Sequence, residues 1–114
     1  MSRLEPGGAL QARASIFAAL GDETRLTLVG RLTDGTPRSI ASLAEGSSLT
    51  RQAITKHLRV LEGAGIIHGM RAGRESRFAF RPEPLREISA YLATVSSQWD
   101  DALTRLRSFV EKEP

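Results

Sequence analysis

GSSLTRQAITKHLRVLEGAG, residues 46–65, carries two patterns in one segment. Ile54, Leu58 and Leu61 recur at intervals of four and three, the spacing that lines up apolar side chains on one side of a helix. Arg51, Gln52, Thr55, Lys56 and Arg59 are the polar residues that the helix presents outward, and His57 lies beside the apolar stripe. Thr50 is a suitable N-cap, and Gly63 and Gly65 supply the backbone freedom to end the helix near Ala64. One face of this helix needs a core, and the other needs a polar, anionic partner or open water.

Working outward toward the N-terminus, Gly46, Ser47, Ser48 and Leu49 make a tight connection to a short helix at about residues 39–45, with Ile40, Leu43 and Ala44 apolar. A second helix precedes it. Asp22 caps this one, Glu23 sits in its favourable first turn, and Leu26, Val29 and Leu32 form its expected inner stripe. Asp34, Gly35, Thr36 and Pro37 close it with turn chemistry. The first helix carries Leu10, Ala14, Phe17 and Leu20 at helical spacing and stops at Gly21. Pro6, Gly7 and Gly8 predict a loose arm over residues 1–8, ahead of a single domain over residues 9–114.

Toward the C-terminus the period changes. Two short segments, IIHGM and SRFAF, are joined through RAGRE with Gly73 near the tip, which predicts a two-stranded hairpin over about residues 66–80. Phe78 and Phe80 alternate on one of its faces. Proline-rich punctuation follows, then a long helix over about residues 84–113. The expected architecture is mainly α with a small β-hairpin: a winged helix-turn-helix with a long C-terminal dimerisation helix.

Charge supports a duplex-facing side. The chain's net charge of +3 is modest, but residues 51–81 hold seven basic side chains against two acidic ones, a local +5. Residues 1–50 are balanced, and residues 82–114 are net acidic. Positive charge concentrated in one block is an electrostatic footprint for nucleic acid. In a helix-turn-helix the second helix of the pair enters the major groove, so the polar face of residues 50–64 is the candidate reading surface. Arginine reads guanine O6 and N7 bidentately, and glutamine reads adenine N6 and N7, which suits Arg51 and Gln52. Thr50, Thr55 and Lys56 suit phosphate contacts that set register, with Arg59 on the same face and His57 touching the DNA backbone from the flank. Arg71, Arg74 and Arg77 would carry the hairpin to the minor groove or to phosphates.

The last helix has a heptad seam. Leu85, Leu92, Trp99 and Leu106 are seven apart, and Ile88, Val95, Ala102 and Phe109 interleave with them. Part of this seam must pack on the chain's own first helix. Its length exceeds what a domain this small covers, which predicts a symmetric dimer using Leu10, Phe17 and the seam. Two-fold symmetry then implies a pseudo-palindromic operator on double-stranded DNA.

FAALGDETRLTLVGRL, SIASLAEGSSLTRQAITKHLRVLEGAGII and GMRAGRESRFAF together resemble the ArsR/SmtB family of small bacterial transcriptional repressors. The resemblance spans roughly residues 16–80, with the long helix consistent in place and length. It implies a homodimer joined through first and last helices that represses by occupying an operator. It also implies DNA contacts at Thr50, Arg51, Gln52, Thr55, Lys56 and His57, and at Arg74 and Arg77 on the wing.

Other classes find little support. No apolar run approaches the length needed to span a bilayer, and the N-terminus has no basic-then-apolar signal pattern, so a cytoplasmic protein without membrane partners is expected. The chain has no cysteine, and its two histidines, His57 and His68, cannot close a four-ligand zinc site alone. The short helix SIASLAE lacks the cysteines that metal-sensing relatives use, and the last helix has no histidine. Adjacent Asp100 and Asp101 point about 100° apart on a helix and make a poor chelate. The expectation is no metal and no cofactor, with a small-molecule effector of unknown class left open. No nucleophile–histidine–acid arrangement or phosphate-cradling loop suggests an enzyme. A protein-interaction module on the same scaffold, without specific DNA binding, is the alternative.

Overall fold

The computed structural model describes residues 4–112. Helix α1 (Leu4–Leu20) is followed by α2 (Glu23–Leu32), strand β1 (Arg38–Ser39), α3 (Ile40–Ala44), α4 (Arg51–Gly63), β2 (Ile67–Ala72), β3 (Glu75–Phe80) and α5 (Pro82–Glu111). The expected order of helices and hairpin is present. α1 begins at Leu4, not after Gly8, so residues 4–8 of the expected arm are helical, and Met1, Ser2 and Arg3 lie outside the described residues. Pro6 falls in the first turn, where the backbone N–H it lacks has no intrahelical partner to lose.

α5 starts two residues earlier than the prolines suggested. Pro82 occupies the first helical position and Pro84 still lies within the first turn, so both are tolerated. The helix ends at Glu111 with Lys112 as C-cap, and the last two residues of the expected helix and tail lie outside the described residues. At ~1.5 Å per residue, α5 is a rod of about 45 Å, most of the molecule's 72 Å long axis.

The sheet has three strands, in the order β1-β3-β2, where the sequence suggested two. β1 is only Arg38 and Ser39, paired antiparallel to Phe78 and Arg77, too short to show any alternation. The hairpin closes with Ala72 opposite Glu75, leaving Gly73 and Arg74 as a two-residue turn. Gly73 alone takes a positive φ there (66°), the arrangement of a II′ turn that matches the strand twist.

The core is the meeting point of α1, α2, α3, α4, the base of the hairpin and the start of α5. Leu28, Leu32, Leu43, Ile54, Leu58, Leu61, Ile66 and Ile67 are its fully enclosed side chains. The stripe expected on α4 is sealed as read. On α2, however, Leu26 is exposed and Leu28 is buried in its place, beside Val29 and Leu32. Two residues rotate a helix by about 200°, so Leu26 and Leu28 cannot share a face. On α1, Ile16 and Ala19 enter the core with Leu20 packed beside them, whereas Leu10, Ala14 and Phe17 stay exposed. Phe78 is buried but Phe80 only partly so, while Ala79 between them is buried as well.

Candidate nucleic-acid interface

α4 is held at both ends by its own sequence. Thr50 Oγ1 accepts the Ala53 amide at 3.1 Å, capping the N-terminus. At the other end Gly65 adopts φ 79°, its amide donates to Glu62 O at 2.9 Å, and Ile66 donates to Leu61 O at 3.0 Å. This pair of reversed bonds is a Schellman motif and turns the chain sharply into β2. The turn before α4 is fixed from α2: Arg31 Nη1 donates to Ser42 O (3.3 Å) and Leu43 O (3.1 Å), and Nη2 donates to Glu45 O (3.0 Å). One guanidinium thus satisfies the free carbonyls at the end of α3 and sets the angle between the paired helices.

With Ile54, Leu58 and Leu61 enclosed, Arg51, Gln52, Lys56 and Arg59 project into solvent. Among the described residues none of the four has a side-chain hydrogen bond or ion pair. A shallow depression runs from Ile40 along Thr50, Arg51, Gln52, Ala53, Thr55 and Lys56. The two threonines differ. Thr50 uses only a lone pair in capping, so its proton remains available to an oxygen ligand. Thr55 Oγ1 donates to Arg51 O at 2.8 Å, so it presents an acceptor outward and must surrender that bond to donate to a phosphate.

The wing is tied to the same helix. Glu62 Oε2 accepts the Gly69 amide at 3.2 Å, and a Cβ at position 69 would meet that carboxylate oxygen at 3.2 Å and the Phe78 ring at 3.3 Å. Arg71 and Arg74 are exposed and unpaired among the described residues. Arg77 is exposed too, but its Nε donates to Glu75 Oε1 at 3.0 Å and Nη2 approaches the same oxygen at 3.0 Å. Its free charge is therefore partly offset, and Arg71 and Arg74 are the stronger phosphate candidates.

His57 is less isolated than its neighbours in sequence suggest. Arg25 Nη1 lies 3.0 Å from Nδ1, and Asp22 Oδ2 lies 3.8 Å from the same atom. Asp22 is the N-cap of α2, accepting the Arg25 amide at 3.0 Å. That bond, more than the charges of Arg25 and His57, holds its carboxyl below the ordinary value of 3.8. No spacing rule links position 57 to positions 22 and 25, so the cluster was invisible in the sequence.

The expected dimer residues divide into two groups. Ile88 is buried and Leu85 half-buried in the chain's own core, so neither is free for a second copy in the way the seam suggested. Leu92, Trp99, Leu106 and Phe109 are exposed, Trp99 at 64% and Phe109 at 66%, and Val95 and Ala102 lie half-exposed between them. Leu103 and Val110, outside the heptad count, are equally exposed and widen the stripe.

The helix-turn-helix domain family matches residues 12–69, just over half of the chain. The chain is 38% identical over 80 residues to the uncharacterized HTH-type transcriptional regulator YuzN of Bacillus subtilis, covering 65% of this chain and 87% of that protein. It is 30% identical over 97 residues to the HTH-type transcriptional regulator Rv2034 of Mycobacterium tuberculosis, covering 85% and 87%. An ArsR-like transcriptional regulator from Rhodococcus sp. RHA1 superposes with a TM-score of 0.79 at 34% identity, over 93% of this chain and 99% of that one. The chain belongs to the ArsR family. It is a winged helix-turn-helix transcriptional regulator. Among the described residues no helix is long and apolar enough to cross a membrane.

Proposed function

We propose that this ArsR-family chain works as a cytoplasmic homodimer that represses transcription by occupying a pseudo-palindromic operator. The observation that carries this reading is the division of α4: three side chains locked into the core, and Arg51, Gln52, Lys56 and Arg59 exposed with no side-chain partner among the described residues. Arg51 and Gln52 read base edges. Thr50, Lys56, Arg59 and His57 hold phosphates, with Thr55 at their centre. Arg71, Arg74 and Arg77 bring the wing to the flanking groove. Leu10, Phe17, Leu92, Val95, Trp99, Ala102, Leu106 and Phe109 form the two-fold interface, with Leu85 and Ile88 anchoring its base. The protein acts by occupancy and not by turnover, and an effector of non-metal chemistry would work by shifting the spacing of the two α4 helices.

Selection of bound duplexes from a random pool tests this directly. The expected product is a two-fold symmetric site, with half-sites about one helical turn apart. Gln52→Ala should cost ~1–3 kcal/mol at particular base pairs and little at the others. Enrichment of no sequence, with binding that is insensitive to salt, would sink the reading.

A further inference from the structure

Arg25 engages three separate groups. Its Nε donates to Ala19 O at 2.7 Å and its Nη2 to Ala18 O at 3.4 Å, both at the end of α1. Its Nη1 reaches His57 Nδ1 at 3.0 Å, across to α4. A guanidinium has donors and no lone pair to offer, so Nδ1 is the acceptor in this contact. The imidazole proton of the neutral ring is therefore on Nε2. That atom has no hydrogen-bond partner among the described residues, and it is not among the polar atoms sealed from solvent without one.

We propose that Arg25 is a positioning residue for the duplex contact of His57: by occupying Nδ1 it places the ring proton on Nε2, where it is donated to a backbone phosphate. The proposal rests on the reading of α4 as the duplex-facing helix. The geometry also supplies the competing state. Asp22 Oδ2 is 3.8 Å from Nδ1, too far for a hydrogen bond as the side chains stand, but a small shift of either would close that gap once Arg25 is gone. Without Arg25 the proton moves to Nδ1 to face Asp22, and Nε2 then turns a lone pair toward the phosphate oxygen. A single side chain outside the interface thus decides whether His57 attracts or repels the backbone.

Imidazole nitrogen spectra of the ¹⁵N-labelled protein at about pH 8, above the ordinary histidine range, report the tautomer directly. The expected result is Nε2–H for His57 in the wild type and Nδ1–H in Arg25→Ala. Binding to a mixed-sequence duplex at low salt should weaken by about tenfold in Arg25→Ala, the size of one charge-assisted hydrogen bond. In a His57→Ala background the same change should have little further effect. An Nδ1–H wild type overturns the proposal, and this arm needs no variant that folds. So does Arg25→Ala that leaves the tautomer unchanged, or losses that simply add in the double variant. A wild type with the expected tautomer that ignores the duplex overturns the phosphate-donor role and the reading of α4 together, whereas tight duplex binding with the wrong tautomer overturns the role of Arg25 alone.

Discussion

α4 and the distal half of α5 are both helices with an apolar stripe at three- and four-residue spacing, yet their fates differ. On α4, Ile54, Leu58 and Leu61 are sealed by the rest of the chain. On α5 the same kind of stripe enters the core only at Leu85 and Ile88, and from Leu92 onward it is exposed, with Val95 and Ala102 half-exposed. The residues themselves are equally apolar. What separates them is whether the chain has enough mass nearby to cover them, and α5 outruns the body of the protein. An apolar stripe this long left uncovered on a rod of about 45 Å is unfavourable for an isolated chain, because each large apolar side chain gains ~1.5–3 kcal/mol on burial.

Substitutions on each stripe sharpen that contrast. Leu58→Ala should produce the largest effect, a loss of ~2–5 kcal/mol in chemical denaturation, because it opens a cavity under the helix that carries the interface. Trp99→Glu should leave the thermal stability of the body almost untouched and instead weaken self-association by ~2 kcal/mol or more, read by sedimentation across a concentration series. If Trp99→Glu unfolds the protein as Leu58→Ala does, the two stripes are not different in kind.

Smaller effects probe the charged side. Arg74→Ala, at the wing tip, should lower the slope of log affinity against log salt by about one, without changing sequence preference. The smallest effect concerns acid. Asp22 and Asp34 are both held below the ordinary value of 3.8, chiefly by the amides of Arg25 and Thr36. Their contribution to stability is present above that value and is lost as pH falls through their depressed folded-state range. Asp22→Asn should lower stability slightly at neutral pH and converge with the wild type at low pH, which flattens the acid limb in denaturation run across a pH series.

Much of this was readable because it is local. The caps Asp22 and Thr50, the Gly65 terminus and the hairpin turn at Gly73 depend on residues within five positions of one another, and all four are in place. The same holds for the inner stripe of α4. Reading failed where two local rules competed or where no rule applied. Pro6, Gly7 and Gly8 suggested a break, but a first-turn proline costs nothing. Leu26 and Leu28 both fit an apolar pattern on α2, and only the position of the neighbouring helices chose between them. β1 is two residues long, and its existence depends on a partner strand nearly forty residues away.

The order of the helices, the ends of α4, its two-sided character and the concentration of positive charge around it were determined by the sequence itself, since each follows from side chains interacting within a turn or two of the backbone. Tertiary structure decided how far α5 enters the core, that Arg31 clamps the turn before α4, and that Arg25 and Asp22 meet His57. The Arg31, Arg25 and Asp22 contacts join residues eleven to thirty-five positions apart. At such separations chain periodicity carries no information, and packing alone selects the partner.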